Sequence, residues 1–460
     1  MIERLTASET GFLWQDDRGW PQEIAALAIL DGQDLVDDDG EVRLGTVRDH
    51  VAARLGLIPR FRQRLVRAPR GLGWPYWVDD PTFDIAFHVN VTRVEAPGNE
   101  AQVLRACEGL RRVAFDPTRP RWSMWFLTGL PEGRVGWYVR VHHSIADGVA
   151  GVALLATFLD GEPAAAEQPG PWHARSLPTV RQLLADNVRR RCREARRGIA
   201  ALSHPITTGR GLLQAWPAMR ETFTEARAPE TSFNQPIGAD RHAAALGMPL
   251  DDVKRIAHGH AATINDVLLT VVAGGYRALL QRRGEGVRGV HLRTLVPVSL
   301  HSEAPGAARG NVDAAMIVPL PVGEDDSRRR LDTIAVDTAI RKRKARPTAG
   351  ALFRFVTLQK AFVRLMPRQR FLNAYVANVP GPPSELYLGN ARLLRVIPLV
   401  PLNSNVSIGV GAMSYAGRFE IAVVADRDLC PDLDAFVDGL RHSLAALEHE
   451  DADGDLRCVS

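Results

Sequence analysis

Two adjacent histidines, His142 and His143, close the hydrophobic run VGWYVRVHH, and Asp147 and Gly148 stand four and five residues after the second of them. An imidazole titrates near neutral pH, so it can take a proton from a hydroxyl and hand it on to a leaving group. Upstream, Val135, Trp137, Val139 and Val141 alternate with Gly136, Tyr138, Arg140 and His142, which is the period of a half-buried strand. Downstream, Val149, Val152, Ala153, Ala156 and Leu159 recur at three- and four-residue spacing. That spacing predicts a helix over 148–160, with Asp147 available as its N-cap. The histidines therefore fall at a strand-to-helix crossing, where a rigid element ends and side chains can point into a crevice.

Other chemistries fit these residues less well. Neighbours on a strand point to opposite faces, so His142 and His143 do not share one metal ion, and no metal site is expected. A serine hydrolase would place a G-x-S-x-G elbow near such a turn, and the chain has none there. The residues alone leave a plain structural alternative open: His142 as a core histidine, His143 as a satisfied turn residue, and Asp147 as nothing more than a cap.

A chain of 460 residues exceeds one ordinary core, and two domains are the natural expectation. Hydrophobic and charged fractions of 45% and 24% describe a globular protein, with no apolar run of about 18 residues to span a membrane. The opening MIERLTASETGFLWQDD carries acids early and lacks the apolar centre of a signal peptide, so a cytoplasmic protein is expected. Cys107, Cys192, Cys430 and Cys458 are scattered with no CxxC pair, which fits a reducing compartment. A net charge of +4 calls for no nucleic acid; it leaves open anionic small molecules or an anionic membrane surface on its inner face.

One seam divides the chain. Strands and helices alternate to about residue 160, after which 161–172 shifts to Pro, Gly, Ala and Glu. This gives a first lobe over 1–170, a strongly basic helical connector over 171–238, and a second lobe over 239–460. In the last of these, the pattern predicts helices over 250–258, 264–282, 326–344 and 352–364, and strands over 291–298, 311–319, 393–400 and 420–425. Mixed α and β in both halves imply two packed α/β sandwiches. The segment LFRFVTLQKAFVRLMPRQ is amphipathic, with Arg354, Lys360 and Arg364 opposite Phe355, Phe362 and Leu365. It suits either a core-packing helix with a solvated basic face or a helix lying on a membrane surface.

The run HHSIADG matches the HHxxxDG signature of CoA-dependent acyltransferases, and flanking segments resemble the bacterial wax ester synthase/diacylglycerol acyltransferase family. In order these are LTASETGFLW, PRFRQRL, FDIAFHV, FDPTRPRWSMWFLTGL, ATINDVLLTVVAGGYRALL, LVPVSLH, GNVDAAMIVPLP and ANVPGP, nearly end to end. Two positions depart from the family pattern. Its usual Pro-Leu-Trp is Pro120, Arg121, Trp122 here, and Glu9 stands where an aspartate is usual. Arg121 either extends into solvent or favours a polar or anionic acceptor.

The resemblance implies an α/β fold of two chloramphenicol-acetyltransferase-like lobes with a tunnel between them, CoA and acceptor entering from opposite mouths. It implies an O-acyltransferase esterifying a long-chain alcohol or diacylglycerol from acyl-CoA, a co-substrate, with no cofactor. A polar secondary-metabolite hydroxyl is the alternative acceptor, and a silent acyl- or CoA-binding protein the third possibility. His143 would be the general base, Asp147 would hold the turn, and His142, facing the other way, would pack and hydrogen-bond. Gly148, Trp122 and the pair Asn265 and Asp266, brought across the channel, would shape the site. Water-insoluble products further imply a peripheral position at a membrane or lipid-droplet surface.

Overall fold

A computed structural model of the chain describes residues 2–69, 71–146, 148–163, 170, 172–203, 227–299, 313–344 and 356–457. In chain order, the first strands are β1 (Glu23–Leu30), β2 (Gln63–Val66), β3 (Tyr76–Asp79), β4 (Val89–Arg93), β5 (Trp122–Thr128) and β6 (Val135–His142). They are followed by β7 (Arg241–Pro249), β8 (His291–Ser299), β9 (Asp313–Pro321), β10 (Ala374–Pro380), β11 (Tyr387–Leu388), β12 (Ala391–Leu399), β13 (Ile408–Tyr415) and β14 (Arg418–Asp426). Helices α1 (Ala7–Asp16), α2 (Leu44–Arg54), α3 (Glu100–Arg111), α4 (Gly148–Ala156) and α5 (Val180–Ser203) belong to the first half and the connector. The second half adds α6 (Leu250–Gly259), α7 (Ile264–Arg282), α8 (Ser327–Lys344), α9 (Val356–Leu365) and α10 (Leu433–Arg457).

The strands form two mixed six-stranded sheets, ordered β11-β12-β1-β6-β5-β4 and β7-β14-β13-β10-β8-β9, and a separate β2-β3 hairpin. Each sheet has its own core. In the first, Trp137, Val139 and Val141 of β6 pack with Val47 and Val51 of α2, Phe61 and Phe158. In the second, α7 lies buried between the sheet and α10, with Tyr276, Phe436 and Val410 in one apolar cluster. A helix hydrophobic on nearly all sides has to be enclosed in this way.

Strand β6 differs from the half-buried strand that its alternation predicts, because all eight of its residues are buried. The alternation does sort side chains to two faces, but the second face is covered as well. Tyr138 packs there with Leu104 and Cys107 of α3, Ile397 of β12 and Ala422 of β14. Opposite faces of this sheet thus meet a helix layer and the other lobe.

The sheets do not follow the halves of the chain. Residues 387–399, assigned from the sequence to the second lobe, pair into the first sheet, where β12 runs antiparallel to β1. The chain then returns to the second sheet as β13, and the two run close together. A Cβ at Gly409 or Gly411 would come within 2.9 Å of Val400 side-chain atoms, so glycine is what lets the returning strand pass.

Helices α6, α7 and α8 and strands β8 and β14 form within a residue or two of the predicted spans. Helix α4 stops at Ala156, short of the predicted 160, because the following residues are drawn elsewhere: Asp160 bridges to Tyr387 and accepts both Arg54 Nη2 contacts, at 2.8 and 2.9 Å. Among the described residues no helix is long and apolar enough to cross a membrane.

Candidate active site

Helix α1 builds one wall of the site. Thr6 and Glu9 form a reciprocal capping box, the Thr6 amide donating to Glu9 Oε2 at 2.7 Å and the Glu9 amide to Thr6 Oγ1 at 3.2 Å. Glu9, one of the two departures from the family pattern, therefore serves to start this helix. Leu13 anchors it at 1% exposure. Phe12 and Asp16, four residues apart, then share a face. The Phe12 ring lies stacked on the His143 imidazole with centroids 4.2 Å apart and planes 14° from parallel.

His143 sits just past the last residue of β6, half-buried, and its amide donates to Gln22 O at 2.8 Å. The contact continues the β1–β6 ladder, in which Glu23 pairs with His142. The imidazole is thus fixed through its backbone on one side and its ring face on the other, while the side chain is not sealed in the core. Such a group can meet a substrate.

His142 is buried and committed. The Ser144 amide donates to its Nδ1 at 3.1 Å, which leaves the ring proton on Nε2, and Nε2–H donates to Asp16 Oδ2 at 2.7 Å. Ser144 Oγ also lies 2.6 Å from Nδ1. Neither nitrogen remains to take a proton from a substrate. Asp16 further accepts from the Gln22 amide at 2.8 Å and from Arg121 Nη1 at 3.1 Å. Arg121 does not extend into solvent: its side chain is only 12% exposed and is paired to Asp16. Its carbonyl also accepts the His142 amide at 3.0 Å.

Beside this cluster lies a buried acid, Glu23, 7% exposed, with Arg140 Nη1 3.6 Å away. Burial pushes its carboxyl up to about 7, against the opposing pull of Arg140 and Arg111. Among the described residues, one carboxylate oxygen of Glu23 has no hydrogen-bond partner. Glu23 lines a cavity of about 40 Å³ at the seam between the lobes, together with Tyr138, Cys107, Arg111 and Arg241.

The remaining residues singled out in the sequence fall in several places. Asp147 lies outside the described residues. Gly148 begins α4, which packs so tightly on β1 that a Cβ at Gly151 would stand 2.7 Å from Ile24 Cδ1. Trp122 is in the core at 1% exposure, its Nε1–H donating to Phe61 O at 2.8 Å and its ring stacked between Phe61 and His88. In the ladder it stands opposite Val141, two residues before His143. Asn265 is half-buried in the first turn of α7. Asp266, buried, accepts from the Thr263 amide and hydroxyl at 2.8 and 2.7 Å and, through its other oxygen, from Thr338 at 2.6 Å. Both of its oxygens thus serve the helix cap and the α7–α8 contact.

Sequence reasoning missed Phe12, Asp16 and Gln22. The Thr6-to-Glu9 capping box was a readable signal for α1, but nothing local links it to a histidine 126 residues beyond Asp16. The second half of the chain also reaches this corner. Helix α9 packs on α1, with Lys360 Nζ 5.1 Å from the Trp14 ring centroid, and Asn403 Oδ1 accepts from Gln22 Nε2. Of the two alternatives for that amphipathic helix, the described part packs on the protein: Val363 is buried and Phe362 stacks with Phe371, while Leu365 remains exposed. Arg354 and Phe355 lie outside the described residues.

Comparison with known proteins matches residues 5–268 to the wax ester synthase/diacylglycerol acyltransferase catalytic domain and residues 309–448 to the WS/DGAT C-terminal domain. A Mycobacterium tuberculosis (strain ATCC 25618 / H37Rv) protein named a probable diacylglycerol O-acyltransferase is 30% identical, over 97% of this chain and 96% of that protein. Among solved structures, the wax ester synthase/diacylglycerol acyltransferase of Marinobacter aquaeolei VT8 superposes with a TM-score of 0.72 at 23% identity, covering 97% of this chain and 99% of that one. The first condensation domain of the calcium-dependent antibiotic synthetase has the same fold, with a TM-score of 0.59 at 16% identity over 97% and 96% of the two chains.

Proposed function

This chain belongs to the wax ester synthase/diacylglycerol acyltransferase family and is an O-acyltransferase, and on that footing we propose that it esterifies a long-chain alcohol or diacylglycerol from acyl-CoA, with His143 as general base. The observation that carries the assignment of roles is the contrast within the histidine pair. His142 has both nitrogens engaged, whereas His143 is half-buried at the end of a rigid strand with its ring braced by Phe12.

In the proposed step His143 takes the proton from the acceptor hydroxyl as its oxygen attacks the thioester carbonyl. The carbon–sulfur bond then breaks, and the imidazolium returns the proton to the departing sulfur. Ester and free CoA are the products, and the imidazole is left as it began. No acyl group is carried on the protein, and the chemistry draws on no cofactor beyond the acyl-CoA co-substrate. Donor and acceptor would meet at His143 from opposite mouths of a tunnel between the lobes.

The reading that the acceptor arrives from a lipid surface has support in the connector. Leu177, just before α5, and Val180, Leu184 and Val188 along it form an exposed apolar stripe at helical spacing. Exposed Arg181, Arg189, Arg191 and Arg193 flank it. An apolar stripe beside several cations suits the surface of an anionic bilayer, where each basic residue contributes about 1 kcal/mol. Cosedimentation with anionic vesicles should fall as salt rises, and equal binding to neutral vesicles would remove the electrostatic part of this reading.

A panel of acyl-CoAs against fatty alcohols, diacylglycerol and small polar alcohols, with free CoA and ester both measured, tests the assignment. The expected result is ester formation with the long-chain acceptors. Turnover confined to small polar alcohols would replace it with the polar-metabolite alternative.

A further inference from the structure

Three separate groups converge on the carboxylate of Asp16 at the end of α1. His142 Nε2–H and Arg121 Nη1 reach one oxygen, at 2.7 and 3.1 Å, and the Gln22 amide reaches the other at 2.8 Å. Resting on the assignment of His143 as the base, we propose that Asp16, its charge balanced by Arg121, is the positioning residue that aims His143.

Two routes run from Asp16 to that imidazole. Along the first, the same residue whose amide donates to Asp16, Gln22, offers its carbonyl to the His143 amide at 2.8 Å. Movement of Gln22 therefore moves the backbone of the base. Along the second, Phe12 lies one helical turn before Asp16 and stacks on the His143 ring. Fixing the C-terminal end of α1 fixes the plate against which the imidazole rests. Asp16 also holds the His142 ring, so both histidines are referred to one anchor.

The anchor is charged and partly enclosed, with side-chain exposures of 21% for Asp16 and 12% for Arg121. A carboxylate in such a place is stabilised by a facing cation and three donated hydrogen bonds, and removal of one partner leaves the other uncompensated. Arg121 lies directly across from His142 in the extended β5–β6 ladder, where its carbonyl accepts the His142 amide. Its side chain is therefore delivered to Asp16 by strand register. A base displaced by about 1 Å can lose about a hundredfold in rate, so an anchor of this kind acts on turnover rather than on substrate capture.

The test uses the purified full chain with acyl-CoA and the best acceptor from the panel, well below the melting temperature of every variant. Asp16→Ala is expected to lower kcat about tenfold or more while the KM for acyl-CoA stays within about twofold. Asp16→Asn, which keeps one acceptor oxygen, should retain more of kcat. Should Asp16→Ala fold poorly, Arg121→Leu must show the same pattern, a smaller kcat loss with KM unchanged. The deciding variant combines Asp16→Ala with His143→Ala. Residues acting through one another are not additive, so the double variant should be no slower than His143→Ala alone. Multiplied losses, a raised KM at normal kcat, or full kcat in Asp16→Ala and Arg121→Leu would overturn the positioning role. A His143→Ala enzyme with wild-type turnover would instead overturn the base itself, whatever the Asp16 variants do.

Discussion

The corner at the end of β6 and the start of α7 both place polar residues where a helix or strand ends, and the structure uses them differently. At the first, two histidines stand side by side, one closed off by Asp16 and Ser144 and the other left half-buried against Phe12. At the second, Asp266 is buried and its carboxylate is fully taken up by Thr263 and Thr338. Polar residues of a motif can be fasteners that hold an element in place, as Asp266 is, or reacting groups, as proposed for His143. Exposure separates the two, since His143 is half-buried and Asp266 is buried.

The largest expected effect separates the two corners by kind. His143→Ala should lower turnover by about 10² to 10⁴ with the fold intact, since that is the usual range for loss of a general base. Steady-state CoA release alongside thermal melting checks it, and near-normal release by a well-folded variant would erase the distinction.

Next is a pH effect on the acid beside the first corner. Burial holds the Glu23 carboxyl up at about 7 in the folded protein. A raised acid stabilises the fold fully below the ordinary carboxylate range, and that contribution is lost as pH rises through about 7. Chemical denaturation of the wild type should thus show a loss on the order of 3 kcal/mol between about pH 4.5 and 8 from this group. Glu23→Gln should be flatter over the same window, gaining on the wild type at the alkaline end. Parallel curves for the two proteins would show that Glu23 titrates normally.

A smaller change is expected at the second corner. Asp266→Ala removes the acceptor of a capping box and of Thr338, which should lower stability by about 1 to 3 kcal/mol, and Asp266→Asn by less. Denaturation midpoints measure this. A loss of turnover in Asp266→Ala with no change in stability would place Asp266 among the reacting groups and remove the contrast between the corners.

Much of this was legible in the sequence, for local reasons. Period-two alternation located β6, helical spacing located α7 and α8, and the HHxxxDG run pointed to the strand end that carries His143. The exposure of β6 was misjudged because alternation reports two faces without saying what covers the second, here α3 and the other lobe. The membership of β12 in the first sheet was not legible either, because a pairing between Ala25 and Leu399 leaves no local mark. Arg121 showed the same limit. As a charge in place of an apolar residue it suggested solvent or an acceptor, and only the approach of α1 revealed its partner in Asp16.

Chemical rescue tests the central claim most directly. With acyl-CoA and a long-chain acceptor, His143→Ala should be nearly silent, and added imidazole should restore ester formation and CoA release in proportion to its unprotonated form. Wild-type turnover by the alanine variant without imidazole would contradict the account.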